Sequence, residues 1–325
     1  MKDPIFICGH RKSGTTMFHN LFDGHEELLV YPSDLNLLYA YFPIYISEKY
    51  SDEERLERLD TVLFKDLEFQ LKNENLSHAI DIQLFREQFF KDFKNSDLCN
   101  MKVIITKLMD SFSKVENKPN RIPVVKETSI EIYSNEIFSW FPNAKFLHLV
   151  RDPRDNYAAL KSGVKSYYSK MGEDEKQTLA SLIYRTRFGL EMGLANMNKY
   201  GNEKYLFVNF TQLVNNIDIE IKEIIKFIGI SFKDSLLVPT RLGNEIKGNN
   251  FDGKKFNKVS NKNIGRWVER ISEDEAKVIE FHLGELMKQF SFNLKFDHND
   301  SAIVAAEFYK WQNYKYFFSD RFQSL

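Results

Sequence analysis

The sequence predicts an α/β fold in which a doubly wound parallel sheet is flanked by helices. Three observations carry that prediction. Four short apolar runs, Ile5–Cys8, Ile122–Val125, Phe146–Val150 and Tyr205–Val208, have the length and composition of buried parallel strands. Longer amphipathic patterns over about 130–141, 153–162, 175–199, 217–228 and 273–289 alternate with them, as βαβ units require. The first run passes straight into Gly9-His10-Arg11-Lys12-Ser13-Gly14-Thr15-Thr16 and then into the helical spacing of Met17, Phe18, Leu21 and Phe22, a strand, loop and helix in succession.

The 325 residues suffice for one large domain with an insertion. Apolar residues make up 43% and charged residues 28%, with 29 Phe and 15 Tyr, which excludes a disordered chain and promises an aromatic interior. A formal net charge of −1 argues against a nucleic-acid-binding protein built on a basic face. Cys8 and Cys99 are too few for a disulfide framework, and no CxxC or HExxH pair offers a metal site, so no metal is expected. The four-residue run Ile5–Cys8 is too short for a signal-peptide core, and the stretch from Leu37 to Ile46, broken by Pro43, is too short for a membrane span. A cytoplasmic location is the expectation.

Between the first two apolar runs, residues of about 50–116 are rich in Glu, Lys, Leu and Phe and nearly free of Gly and Pro. They read as a helical insertion after the first βα unit, and with the stretch before it the insertion covers about 37–116. Gly and Asn cluster over 243–265, marking a loop. The main domain is expected over 1–290. Residues 291–325 form a C-terminal aromatic-rich extension with Phe308, Trp311, Tyr314, Tyr316, Phe317 and Phe318, expected to pack as a helix on the domain or on a second copy in a homo-oligomer.

The loop after the first strand turns backbone N–H groups toward an anion at the start of a helix. Its spacing is similar to the nucleotide triphosphate P-loop, but Thr15 occupies the place of the lysine, and the cation has moved forward to Lys12. A P-loop kinase needs that lysine and an acidic residue for Mg²⁺. The alternative to an anion site is a helix cap beside a solvated lysine. Farther on, Arg151-Asp152-Pro153-Arg154-Asp155 follows FPNAKFLHLV, with Pro153 suited to a first helical turn. This block reads either as an arginine offered to a phosphate or as ion pairs at a helix start.

Taken together, RKSGTT after a hydrophobic strand and FPNAKFLHLVRDPRDNY resemble the two nucleotide motifs of sulfotransferases that use 3′-phosphoadenosine 5′-phosphosulfate (PAPS). The resemblance spans about residues 3–290. It implies a P-loop-like fold and transfer of the sulfuryl group from PAPS, without a required metal, to a hydroxyl or amine. By matching position, Arg11, Lys12, Ser13, Gly14, Thr15 and Thr16 would hold the 5′-phosphosulfate, with Lys12 stabilising the leaving oxygen, and Arg151 would pair with the 3′-phosphate. The family usually has a serine eight residues after that arginine. Here it is Ala159, and Ser162, one turn on, is the expected replacement. NIGRWVERISEDE resembles the family's segment near the C-terminus that closes over the nucleotide, which implies Gly265 and Arg266 as further binding residues beside Lys262.

Sulfuryl transfer needs a base for the acceptor proton. Asp34-Leu35-Asn36-Leu37-Leu38 is similar to the family's acidic segment, where the acid is commonly Glu, so Asp34 is the first choice; a helix cap is its other reading. Val124-Val125-Lys126-Glu127-Thr128 resembles a strand-end Lys-x-Pro element with Thr128 for proline. Lys126 then either approaches the transferring group or makes a structural ion pair. Glu127 and His10 are the second and third choices of base. Aromatic side chains of residues 31–45 are expected to line an acceptor cleft suited to sugar rings, phenols or lipid-like alcohols, leaving a small-molecule, glycan or lipid-like acceptor open. The competing readings are a P-loop nucleotide kinase and an inactive nucleotide-binding scaffold.

Overall fold

The computed structural model describes residues 2–310 except 92, 95–96, 165–166, 168–169, 171, 173 and 247–257. Of the segments named above, residues 247–257 of the Gly- and Asn-rich loop and the tail from Trp311 onward lie outside the described residues.

Five strands form one all-parallel sheet: β1 (Ile5–Cys8), β2 (Leu28–Asp34), β3 (Ile122–Lys126), β4 (Lys145–Val150) and β5 (Tyr205–Asn209), in the order β2-β3-β1-β4-β5. Four were expected; β2 was not. Its sequence LLVYPSD contains Pro32, which cannot donate to a ladder, and the structure accommodates it by placing β2 at the sheet edge with a register shift between Val30 and Asp34. The helical insertion therefore follows β2.

Alternate residues of each strand feed two cores. On one face Phe6, Leu29, Tyr31, Val125 and Phe146 pack under the insertion. On the other Ile7, Leu28, Val30, Val124 and Leu149 meet α1 (Thr15–Asn20) and later helices. The insertion contains α2 (Leu37–Ala40), α3 (Asp52–Asp60), a π-helical turn at Thr61–Lys65, α4 (Asp66–Asn73), α5 (Ile82–Phe90) and α6 (Met101–Val115). It uses the aromatic residues of 31–41 as core: Tyr31 and Tyr41 are fully buried, and their hydroxyls donate to the carbonyls of Leu63 and Leu98.

After the sheet's third strand come a 3₁₀ turn at Ile130–Tyr133 and α7 (Ser134–Trp140), then α8 (Pro153–Val164), α9 (Glu175–Tyr200), α10 (Phe210–Asn215) and α11 (Ile217–Ile228). In α11 the buried Ile221, Ile224, Ile225 and Ile228 repeat at helical spacing, and each contributes about 1.5–3 kcal/mol through burial. Gly229, at φ 86°, ends that helix in the left-handed region. A short antiparallel pair, β6 (Thr240–Arg241) and β7 (Asn244–Glu245), precedes α12 (Trp267–Arg270), α13 (Glu273–Gln289) and α14 (His298–Tyr309). Of the extension, Phe292, Leu294 and Phe296 pack against the core shared by α8, α9 and α13, and the ring of Phe281 stacks on His298.

Two buried charged groups hold the framework at the carboxyl ends of the strands. Glu127, directly after β3, is 3% exposed and accepts hydrogen bonds from the backbone N–H of Leu38 (3.1 Å) and Tyr39 (2.9 Å), so it caps α2. Burial pushes its carboxyl up to about 8. Replacing it with Ala leaves buried N–H groups unbonded; Glu127→Ala is expected to lose about 1–3 kcal/mol in urea denaturation, and Glu127→Gln, which keeps one of the two acceptor oxygens, is expected to lose less. Arg154 forms ion pairs with Asp152 (2.6 Å) and with Glu280 of α13 (2.5 Å), all three buried, and its guanidinium lies 4.4 Å from the Trp267 ring centroid. Glu280→Ala, which leaves that charge short of a partner, is expected to cost about 3–5 kcal/mol by the same measurement.

Candidate active site

The loop between β1 and α1 is closed by its own side chains. Ser13 donates from both its N–H and its hydroxyl to the His10 carbonyl, and the residue is 1% exposed. Gly9 has φ 134°, and a Cβ there would lie 2.4 Å from the Leu149 carbonyl oxygen; Gly14 has φ 100°, and its Cβ would meet the Phe210 ring at 2.4 Å. Lys12 also takes a left-handed conformation, φ 64°. Thus the two glycines let the loop pass close beneath β4 and α10, and of the residues between them Arg11 and Lys12 face the open side.

That side opens into a cavity of about 710 Å³. Arg11, Lys12, Gly14, Thr15 and Thr16 line it from the loop. Burial, then the charges of Lys126 and Arg11, brings the Lys12 ammonium down to about 8. Ser13 is outside the lining, its hydroxyl spent on the loop itself. His10 is also outside it: the ring is 8% exposed, makes a 2.9 Å contact with the Arg11 carbonyl, and is held neutral by burial, its pKa pushed down to about 3.

Parallel pairing brings the ends of β2 and β3 beside the loop. Asp34 and Lys126 are register partners; Lys126 Nζ is 2.7 Å from the Asp34 carboxylate and donates to Thr16 Oγ1 at 3.1 Å. The ammonium is 3% exposed while the carboxylate, 35% exposed, reaches the cavity. Lys126 is therefore ion-paired, as one of its two sequence readings had it, and its side chain also lines the cavity. Glu127 points away, toward α2, and caps that helix instead of facing the cavity.

At the end of β4, Arg151 lines the same cavity. Its guanidinium donates to the carbonyls of Lys12 (2.9 Å) and Asn263 (3.3 Å) and lies 5.0 Å from the Phe210 ring centroid, while its Nε, though buried, has no partner among the described residues. Arg154, three residues on, is wholly structural. The RDPRD block thus divides into one arginine at the cavity and one in the core. Ala159 and Ser162 of α8 both line the cavity, one turn apart, with Ser162 Oγ bonded to the Ala158 carbonyl of its own helix.

Asp155 draws the C-terminal loop over this wall. Its carboxylate accepts from the N–H groups of Gly265 (2.7 Å) and Trp267 (3.1 Å). Gly265, at φ 70°, therefore spends its amide on α8, whereas its neighbours Asn263 and Arg266 line the cavity. Lys262 is exposed and outside the lining. Trp267 is 8% exposed and packs under Arg154.

Several lining residues had no signal in the sequence reading. Gln70 comes from α4 in the insertion and Glu74 from its C-cap, Arg241 from β6, His19 and Asn20 from α1, and Arg270 from α12. Gln70 and Glu74 stand at i and i+4, a spacing that puts them on one helix face, but nothing local says that this face meets the site. The aromatic lining expected from residues 31–45 is absent among the described residues; Pro32, Ser33, Asp34 and Asn36 are the members of that segment at the cavity. The tyrosines went to the core because the insertion needed their apolar bodies and supplied carbonyls for their hydroxyls.

Among known proteins, the family model described as "Sulfotransferase family" matches residues 4–234. A search of curated proteins finds no match. Of solved structures, the sulfotransferase domain from the curacin biosynthetic pathway superposes with a TM-score of 0.58 at 18% identity, covering 91% of this chain and 99% of that one. The sulfotransferase domain from the Synechococcus PCC 7002 olefin synthase gives 0.55 at 20% identity, covering 91% and 98%. These structural likenesses agree with the parallel sheet in showing the fold, and the family match runs from β1 through the strand ends that build the cavity: the chain belongs to the sulfotransferase family.

Proposed function

We propose that the protein transfers the sulfuryl group of PAPS to a hydroxyl or amine of a small-molecule acceptor. The observation that carries the reading is one continuous cavity with two basic stations, Lys12 in the β1–α1 loop and Arg151 at the end of β4, and with the Asp34–Lys126 pair on the opposite side of the loop. A donor with a phosphosulfate at one end and a free phosphate at the other fits that division. The buried, unpartnered Nε of Arg151 is a donor that a phosphate oxygen would satisfy. Thr15, 3% exposed, stands where a triphosphate-binding loop needs lysine, which disfavours a kinase.

In this reading Lys12, with the backbone of Gly14 to Thr16, holds the 5′ end, and Arg151, with Ser162 in place of the serine absent at Ala159, holds the 3′ end. Arg266 adds positive charge from the covering loop. Asp34 takes the proton of the acceptor hydroxyl as its oxygen forms the new bond to sulfur. The bond between sulfur and the bridging oxygen breaks, its electron pair remaining on the phosphate of the departing adenosine 3′,5′-bisphosphate, where Lys12 and Lys126 neutralise the developing charge. A sulfate ester and a protonated Asp34 result, and the side chains supply the cationic charge without a metal ion. Among the described residues no helix is long and apolar enough to cross a membrane. Two cysteines outside any disulfide, Cys8 and Cys99, fit the reducing cytoplasm.

Calorimetric titration tests the donor. Adenosine 3′,5′-bisphosphate is expected to bind, Arg151→Ala to weaken it about 10- to 100-fold, and ATP with Mg²⁺ to bind far less well. A preference for ATP with Mg²⁺ would overturn the reading in favour of a kinase, and bisphosphate binding with no transfer to any acceptor would favour a scaffold.

The pH dependence follows from Lys12. An anion bound beside it raises its pKa from about 8, so binding takes up protons above that value. Bisphosphate affinity is expected to be level where the ammonium is already charged and to fall as pH rises through about 8. Lys12→Arg, charged throughout, is expected to flatten this part of the profile.

A further inference from the structure

The half of the cavity beyond Asp34 has a composition that selects among acceptors. Its charges are paired: Asp34 with Lys126, and Glu74 with Arg241 at 2.7 Å. Arg241 is 7% exposed and held by further bonds, to the Pro32 carbonyl and to Gln70 Oε1 at 3.2 Å. A guanidinium only donates, so the amide of Gln70 must turn its oxygen to Arg241, and Ser33 Oγ donates to the same oxygen at 2.9 Å. With its oxygen doubly used, Gln70 has its NH₂ left as the group it can offer to the cavity it lines. Four residues on, at the C-cap of α4, Glu74 binds Arg241 through Oε1 and keeps Oε2 as an acceptor, on a side chain 37% exposed. His19, 2% exposed and held neutral by burial, lines the same half, and its Nε2 has no partner among the described residues.

With these two pairs neutralised, the described part of this wall at β2, α4 and β6 suits neither an anionic nor a cationic acceptor. A donor and an acceptor on successive helical turns, with a buried imidazole nitrogen still unsatisfied, match a ligand carrying several hydroxyls, each of which donates and accepts. A phenol or alkyl alcohol has one hydroxyl, which Asp34 would use, and would leave the remaining groups desolvated and unbonded. The phenyl and phenol rings among the described lining residues belong to Phe210, beneath the loop at Arg151, and to Tyr167, which follows α8 with its N–H on the Gly163 carbonyl.

We propose that the acceptor is a neutral polyhydroxylated molecule, a sugar or sugar-like polyol, recognised by Gln70 and Glu74 of the insertion. The proposal rests on the donor reading given above, and the test separates the two. Ser33, bonded to Gln70, is next in the chain to Asp34, so the hydroxyl adjoining the sulfated one would fall to α4.

With PAPS as donor, methyl α-D-glucopyranoside, methyl β-D-galactopyranoside and N-acetylglucosamine are compared with p-nitrophenol and 1-octanol, and sulfated product is read by mass spectrometry. At least one sugar is expected to exceed both simple alcohols by about 100-fold or more in kcat/KM. Gln70→Leu is expected to raise the sugar's KM about 3- to 10-fold while leaving the affinity for adenosine 3′,5′-bisphosphate unchanged. Glu74→Gln, which keeps an oxygen for Arg241, is expected to raise KM in the same way. Bisphosphate binding together with a preference for p-nitrophenol or octanol, with no transfer to any sugar, or with a sugar KM indifferent to Gln70→Leu, would overturn the acceptor proposal alone. Failure to bind the bisphosphate would overturn the donor reading and this proposal with it.

Discussion

All five strands of the sheet run in one direction, and β1 lies between β3 and β4, paired to each through Ile7↔Lys126 and Cys8↔His148. In a parallel sheet the carboxyl ends of neighbouring strands emerge on one edge, and chains that leave it toward opposite faces open a crevice there. Lys12, Lys126 and Arg151 follow from that register, although 139 residues separate the first from the last. Positive charge in one place is costly, and the structure offsets it with anchors: Asp34 beside Lys126, Asp155 behind Arg151, and the Lys12 carbonyl accepting from Arg151 itself.

Much of the polar machinery around the cavity serves to hold it in shape. Glu127 fixes α2 against β3, Asp155 fixes the covering loop against α8, and the Arg154 cluster fixes α13 against the same strand end. These groups lie next in sequence to the residues that face the cavity, so a motif such as RDPRD mixes both kinds. Burial distinguishes them: Arg154 is saturated with carboxylates, while Arg151 retains a buried nitrogen with no partner among the described residues. The same distinction separates Lys12 from Ser13 within the loop.

The cavity wall beyond Asp34 depends on elements with no local signature. Gln70 belongs to a helix whose other face is core, Glu74 to the C-cap of that helix, and Arg241 to a two-residue strand. Arg241 bonds to β2 at Pro32 and joins the insertion to the sheet, so groups that line the cavity also close the sheet's exposed edge.

By itself the sequence determined four of the five strands, the principal helices and the two basic motifs, because these are written in short-range periodicity and in loop residues adjoining a strand or helix. It placed Asp34, Lys12, Lys126 and Arg151 as candidates for the same reason. Only the tertiary structure decided that β2 is a strand, since Pro32 is tolerable solely at an edge; that the tyrosines of 31–41 are core, since the insertion buries them; that Glu127 and Arg154 are anchors; and that α4 and β6 complete the cavity. Each of those outcomes turns on which distant surface a residue meets, a property of long-range packing that local patterns do not carry.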